Sequence, residues 1–233
     1  MPSNAESTTS STSAPTSRDG ARTAPRTTLS YAVLGLLSLR SMGAYELVQG
    51  YARSLGQVMS RSEAAIYAEP KRLEAAGLVT HTDERRGNRI VAVYSITDAG
   101  RDELRAWLGR PTTFPEVDAE PVLRVVFADA AGVEQVRTTV GAFRDEVITR
   151  LLAMRAIADE YRTGSGPYQE RAPLVALSGT FVAELMTAYL RWCDRVLAAL
   201  DEWGTLGPAA VPAAVDAIAA IGDTVTHLLA DRT

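Results

Sequence analysis

Residues 60–100 read SRSEAAIYAEPKRLEAAGLVTHTDERRGNRIVAVYSITDAG, and no other stretch of the chain limits the fold so closely. Ser60-Arg61-Ser62-Glu63 fits a capping box. In it, Ser60 accepts from the Glu63 amide and the Glu63 carboxylate reaches back to the amide of Ser60. At about 100° per residue, Ile66 and Leu73 fall on one helix face, with Ser62 and Pro70 nearby. The opposite face carries Arg61, Ala64, Ala68 and Lys71, flanked by Tyr67 and Arg72, with Ala65 alongside. Pro70 removes an amide donor from the helix interior and crowds the preceding turn, at a cost of roughly 3 kcal/mol in an exposed setting. A kink or an early change of direction is expected there, with residues 60–69 straight.

Gly77 reads as the C-terminal cap of this helix. Leu78-Val79-Thr80 begins one strand, and Ile90 to Ile96, rich in β-branched residues and tyrosine, forms the other. Between them Asp83-Glu84-Arg85-Arg86-Gly87-Asn88-Arg89 forms a tip with a Gly-Asn turn signal. Helix, strand, basic turn, strand and helix is the order of a winged helix, in which one helix enters a DNA groove and the hairpin reaches the backbone beside it. A hairpin needs its turn but not three arginines, whereas Arg85, Arg86 and Arg89 suit bidentate bonds to phosphate or insertion into a narrow minor groove, with Asn88 at the tip. Lys71, Arg72, Arg61, Ser62 and Tyr67 are the candidate contacts on the helix. Ala64, Ala65 and Ala68 would let its backbone approach base edges and touch thymine methyls. Against this stands the reading of the helix as an ordinary solvated face and the tip as a merely charged loop.

At this point the residues resemble a family. LSYAVLGLLS at 29–38, AYEL at 44–47, IYAEPKRLEAAGLV at 66–79 and VYSITDAGRDELRAWL at 93–108 together are similar to the PadR-type transcriptional regulators over residues 29–108. The resemblance implies a repressor that binds a short inverted repeat as a dimer and is relieved in many members by a small aromatic molecule. Two positions depart from the family pattern. Ala68 stands where Ile-Tyr is usually followed by proline, with Pro70 two residues later, and Ala44 begins the usual Gly-Tyr-Glu-Leu.

The net charge of −4 is unfavourable for a DNA binder, but it is unevenly spread. Residues 26–110 hold 12 Lys and Arg against 9 Asp and Glu, a net of +3, while residues 111–233 hold 10 against 17, a net of −7. Basic charge collects where DNA contact is expected. Three segments follow. Residues 1–27, rich in Ser and Thr, are expected to be a disordered tail, with Arg18, Arg22 and Arg26 forming either a DNA-reaching arm or nothing of consequence. Residues 28–110 form the winged helix, its first helix burying Leu29, Val33, Leu34, Leu36, Leu37 and Leu39, and Thr97 capping the helix that ends near Leu108. Residues 111–233 read as all-helical, with helices near 119–130, 133–162, 170–203 and 210–230. The fold class is thus mainly α: an N-terminal winged helix-turn-helix with a small β-hairpin, then an all-α region. Helices this long need a partner for their apolar stripes, so this region is read as the dimerisation element, which would set two recognition helices about one DNA turn apart.

Trp107, Met186, Tyr189, Trp192 and Trp203, with Cys193 among them, are weak candidates to contact an aromatic effector, since an aromatic stripe at helical spacing is usually core. No catalytic residue, metal site or cofactor is expected. The two histidines, His81 and His227, have no neighbouring ligands at a productive spacing, Cys193 is the only cysteine, and no phosphate-binding glycine loop is present. No uninterrupted apolar run spans a bilayer and no secretory leader is apparent, so a cytoplasmic protein with no membrane partner is expected. The expected partners are double-stranded DNA, a second copy of the chain and a small aromatic effector. A different function, a winged-helix protein-interaction module without specific DNA binding, predicts dispensable tip arginines. The DNA-binding function predicts that Arg86→Ala weakens binding to all sequences and flattens its salt dependence.

Overall fold

A computed structural model describes residues 26–56 and 58–230, so nearly all of the Ser/Thr-rich stretch, including Arg18 and Arg22, lies outside the described residues. The chain divides into two compact units, one running to Thr112 and one starting at Thr113.

The first unit contains α1 (Thr28–Leu39), β1 (Met42–Gly43), α2 (Ala44–Ser54), α3 (Glu63–Ala75), β2 (Val79–Arg86), β3 (Arg89–Ile96) and α4 (Asp98–Leu108). Thr27 caps α1 reciprocally with Ser30, whose hydroxyl accepts from the Thr27 amide at 3.1 Å. Leu29, Val33, Leu34, Leu36 and Leu37 of α1 are buried as their spacing predicts, while Leu39 is only half-buried. They share one core with Leu47, Val48 and Tyr51 of α2 and with Ile66 and Leu73 of α3. The Tyr51 hydroxyl donates to the Met59 carbonyl at 3.0 Å, which partners a buried phenol and fixes the approach to α3.

That approach corrects the expected start of α3. Residues 59–62 have no regular structure, and the cap is Ser62, not Ser60: its side chain accepts from the Ala65 amide at 3.3 Å. Glu63 then sits in the first turn, near the positive end of the helix dipole, and makes no capping box with Ser60. The helix runs through Pro70 toward the expected cap at Gly77. It continues to Ala75, and Pro70 lies buried on its inner face.

The end of α3 is closed by a Schellman motif. Gly77 has φ +73°, its amide bonds the Glu74 carbonyl at 2.8 Å, and the Leu78 amide bonds the Leu73 carbonyl at 3.0 Å. Leu73 and Leu78 are both buried, which supplies the apolar contact such a cap favours. The start of α4 is fastened to the same place. Thr97 donates from its hydroxyl to the Gly77 carbonyl at 2.8 Å, donates from its amide to the Leu78 carbonyl at 3.0 Å, and caps α4 by accepting from the Gly100 amide at 3.1 Å. The approach is so close that a Cβ at position 100 would lie 2.1 Å from the Leu78 carbonyl oxygen, a position only glycine fills.

The sheet has the order β1-β3-β2 and is antiparallel, with Val79 opposite Ile96 and Arg86 opposite Arg89. The charged segment 83–89 is therefore not a loop. Pairing runs out to Arg86 and Arg89 and leaves Gly87-Asn88 as a two-residue turn, because the ladder needs only backbone groups and both faces of the outer hairpin lie in water. Gly87 supplies the positive φ, +63°, that a type II′ turn requires at its first central position.

The second unit contains α5 (Glu120–Val126), α6 (Val133–Arg162), α7 (Ala172–Trp203) and α8 (Val211–Ala230). The helix expected over 119–130 stops at Val126; a turn of 3₁₀ helix and Gly132 at φ +90° separate it from α6. α6 and α7 form an antiparallel pair that buries Val136, Val140 and Val147 against Val182, Met186, Cys193 and Leu200. Arg137 pairs with Asp201 at 2.7 Å and Arg144 with Asp194 at 2.6 Å, fixing the register across the pair. Leu174, Leu177 and Phe181, at the N-terminal end of the α7 stripe, stay exposed, and no residue of α8 is buried. Residues Gln169–Trp203 and Pro208–Ala230 are helices long and apolar enough to cross a bilayer by length and composition, although Glu184 and Arg191 interrupt the first and Asp216 and Asp223 the second.

Candidate nucleic-acid interface

The two faces of α3 are sharply different. Ile66, Glu69, Pro70 and Leu73 are buried, while Ala64, Tyr67, Ala68 and Lys71 face solvent at the spacing of three to four residues that makes one stripe. Ala65 is half-buried against the core, so it does not belong to this stripe; of the three alanines expected to face DNA, Ala64 and Ala68 leave the helix backbone bare toward solvent. Arg61 precedes the helix cap and donates to the Ser60 carbonyl at 2.8 Å, and the exposed Ser62 hydroxyl is engaged by the Ala65 amide.

The buried member of this set is Glu69, which the sequence does not mark. A carboxylate out of water is costly unless hydrogen-bonded. Glu69 accepts from the Ser30 hydroxyl of α1 at 2.6 Å and from the Arg72 guanidinium at 3.2 Å. The contact ties α3 to α1 and holds Arg72 at the margin of the exposed stripe.

The hairpin distributes its arginines over two faces. Residues paired across an antiparallel ladder share a face, so Arg86 lies with Arg89, and Arg85 lies with Ile90 on the other side. Arg86 is engaged: it donates to Glu46 of α2 at 3.1 Å and to Glu84 at 3.5 Å. Glu46 also accepts from the Gly43 amide at 2.9 Å and from Arg40 at 3.0 Å. The Gly43 amide chiefly, then Arg40 and Arg86, hold the Glu46 carboxyl below its ordinary range against the opposing effect of burial. Arg85 donates only to the Gly87 carbonyl, at 3.3 Å, and Asn88 is exposed in the turn. Among the described residues, Arg61, Lys71, Arg85 and Arg89 have no carboxylate partner, whereas Arg72 and Arg86 do. The Glu46 clip escapes sequence reasoning because its partners are 40 residues apart, although the Gly43-to-Glu46 spacing is a helix-start signal.

At the root of the hairpin, His81 Nδ1 lies 2.5 Å from Glu74 Oε1 and joins β2 to the last turn of α3. The hydrogen bond to Glu74, followed by its charge, raises the His81 pKa above the ordinary value.

The residues proposed to contact an effector fall in two places. Trp107 stacks on Tyr31 within the first unit, with centroids 4.6 Å apart and planes 8° from parallel. Met186 is buried between α6 and α7, while Tyr189 and Trp192 meet the edge of Phe143 at 5.6 Å and 6.2 Å. Trp203 is half-buried at the end of α7. None of these side chains lines the groove that the second unit does show. An open groove of about 340 Å³ lies instead between α5 and α6, lined by Leu123, Phe127, Val136, Thr139 and Val140 among others. Cys193 is fully buried, and burial pushes its thiol pKa up.

A helix with a buried apolar face and an exposed small-and-basic face, backed by a two-stranded wing, defines a winged-helix DNA-binding protein. Residues 33–106 match the model of the transcriptional regulator PadR-like family, and residues 119–201 match that of the virulence activator alpha C-terminal region. The chain thus carries a PadR-like domain over residues 33–106 and is homologous to PadR and AphA, which are transcriptional regulators and not enzymes. It is 27% identical over 181 residues to the negative transcriptional regulator PadR of Bacillus subtilis, covering 75% of this chain and 98% of that protein. The structure of Bacillus subtilis PadR in complex with operator DNA is similar with a TM-score of 0.59 at 26% identity, over 74% of this chain and 98% of that one. The same protein in complex with p-coumaric acid gives a TM-score of 0.52 at 26% identity, over 74% and 98%. The Vibrio cholerae virulence activator AphA gives 0.59 at 26% identity, over 75% and 99%.

Proposed function

We propose that this protein is a dimeric repressor that reads an inverted repeat through α3 and the wing and releases it on binding a small aromatic effector. The observation that carries the DNA reading is the exposed stripe of Ala64, Tyr67, Ala68 and Lys71 on a helix whose other face is locked into the core. Small side chains permit close approach to base edges, and Lys71 with Arg61, Arg85 and Arg89 supplies cations not already neutralised. Repression and the effector class follow the Bacillus subtilis relative, a negative regulator known with operator DNA and with p-coumaric acid. Such a regulator acts inside the cell, in the cytoplasm and on the nucleoid.

Dimerisation is supported by the distribution of apolar surface. Of 22 exposed large hydrophobic side chains among the described residues, 17 belong to the second unit, among them Leu174, Leu177 and Phe181. Surface of this kind marks an interface. A two-fold dimer presents two copies of α3 at a separation of about one helical turn of DNA, roughly 34 Å or a multiple. The groove between α5 and α6 falls within the usual volume range of small-molecule sites, about 300–1,000 Å³, and supports effector binding in the second unit.

The test is selection of the purified full chain against random-sequence DNA at physiological salt. Enrichment of an inverted repeat is expected, and p-coumaric acid should lower affinity for it. A folded sample that enriches nothing removes the operator reading and leaves the protein-interaction module.

A further inference from the structure

We infer that α8 is a second self-association element that this chain adds to the PadR-like architecture, and that it pairs with α8 of a second copy in a two-stranded coiled coil. The inference rests on the dimer reading above. α8 lies beyond residue 201, where the match to the C-terminal family region ends. No residue of α8 is buried, and Val211, Ile218, Ile221 and Val225 are between 50% and 66% exposed. A solitary helix of mean hydropathy 1.3 has no reason to remain in water unless its apolar face is covered.

The spacing identifies the cover. Val211, Ile218 and Val225 recur every seven residues, and Ala214, Ile221 and Leu228 do the same three positions later. These are the a and d positions of three heptads, with a β-branched residue at every a position, the choice that favours two strands. A bilayer-facing helix is apolar all round and does not need this phase. Charge obeys the same register: Asp216 and Asp223 both occupy f, the position farthest from the seam. A second copy of the acidic C-terminal half can therefore approach along a seam that carries no charge, whereas a basic partner would find the carboxylates on the wrong side. The seam is about 30 Å long at 1.5 Å per residue. A seam this short acts by tightening an association that the exposed end of α7 also serves.

The experiment is sedimentation equilibrium of the full chain as wild type, as Ile218→Asp with Ile221→Asp, and as Asp216→Lys with Asp223→Lys, with circular dichroism confirming helix content. The seam variant is expected to raise the dimer Kd about 100-fold, and the outer-face variant to leave it within about threefold. Equal Kd values for wild type and seam variant overturn the α8 proposal while the dimer stands. A wild type that stays monomeric at micromolar concentration overturns both. Flotation with phosphatidylglycerol–phosphatidylcholine vesicles covers the membrane alternative: vesicle binding abolished by the seam substitutions, with Kd unchanged, also overturns it.

Discussion

The unequal engagement of the wing arginines gives a quantitative prediction for salt dependence. Each phosphate neutralised by a cation contributes a slope of about −0.9 to log Kobs against log salt on duplex DNA. Four of the candidate contact cations in each protomer have no carboxylate partner among the described residues, Arg61, Lys71, Arg85 and Arg89, which makes eight in a dimer and a slope of about −7 if all engage phosphate. Affinity should then fall by roughly four orders of magnitude between 50 and 200 mM salt. Arg89→Ala removes two contacts per dimer and should bring the slope to about −5. Arg86→Ala removes a cation already committed to Glu46 and Glu84, so the slope should stay near the wild-type value even if affinity drops. The structure thus moves the expected effect on slope from Arg86 to its cross-strand neighbour. Fluorescence anisotropy on the selected operator at four or five salt concentrations measures both. If Arg86→Ala flattens the slope as much as Arg89→Ala does, Arg86 abandons Glu46 for phosphate on binding, and the reasoning from resting ion pairs fails.

Three further outcomes are expected. Gly100→Ala should destabilise the first unit by roughly 1–3 kcal/mol, since overpacking against a backbone carbonyl outweighs the gain of about 1 kcal/mol in helix propensity; a thermal melt showing no loss, or a rise, refutes the close approach. His81 gains a partner in the folded state and its pKa is raised, so its contribution is full below the unfolded value near 6.5 and is lost as pH rises through the higher folded value. Stability should therefore decline over that window in wild type and not in His81→Asn, and an NMR titration placing His81 at or below 6.5 would contradict the Glu74 contact. Cys193 should resist alkylation in the native protein and react on denaturation, as burial and a raised thiol pKa require, and rapid native labelling would show that the α6–α7 pair opens.

Much of this molecule is legible in its sequence because the decisive signals are local. Gly77, the Gly87-Asn88 turn and Thr97 each act within a few residues, and they locate the element boundaries closely. The misses have a different origin. Two serines within three residues offer equivalent caps, and Ser62 is the one used, just beyond Met59, which Tyr51 of another helix holds. The outer hairpin looks like a loop because its side chains are charged, yet strand pairing is a property of the backbone. The α3 stripe is visible from periodicity, but Ala65 falls on its inner margin, and the commitments of Arg72 and Arg86 depend on Glu69 and Glu46, whose burial and position no pattern reports.

The joint at Thr97 has a mechanical meaning. One threonine is bonded to Gly77 and Leu78 at the end of α3 and to Gly100 in the first turn of α4, and no spare volume exists at that crossing. The chain leaves the first unit through α4, so tension applied to the residues beyond Leu108 reaches the C-terminal end of the DNA-facing helix through three hydrogen bonds and no compliant linker. α4 and the end of α3 are therefore joined as one piece, and α1 is bonded to both, through Tyr31 to Glu103 of α4 and through Ser30 to Glu69 of α3.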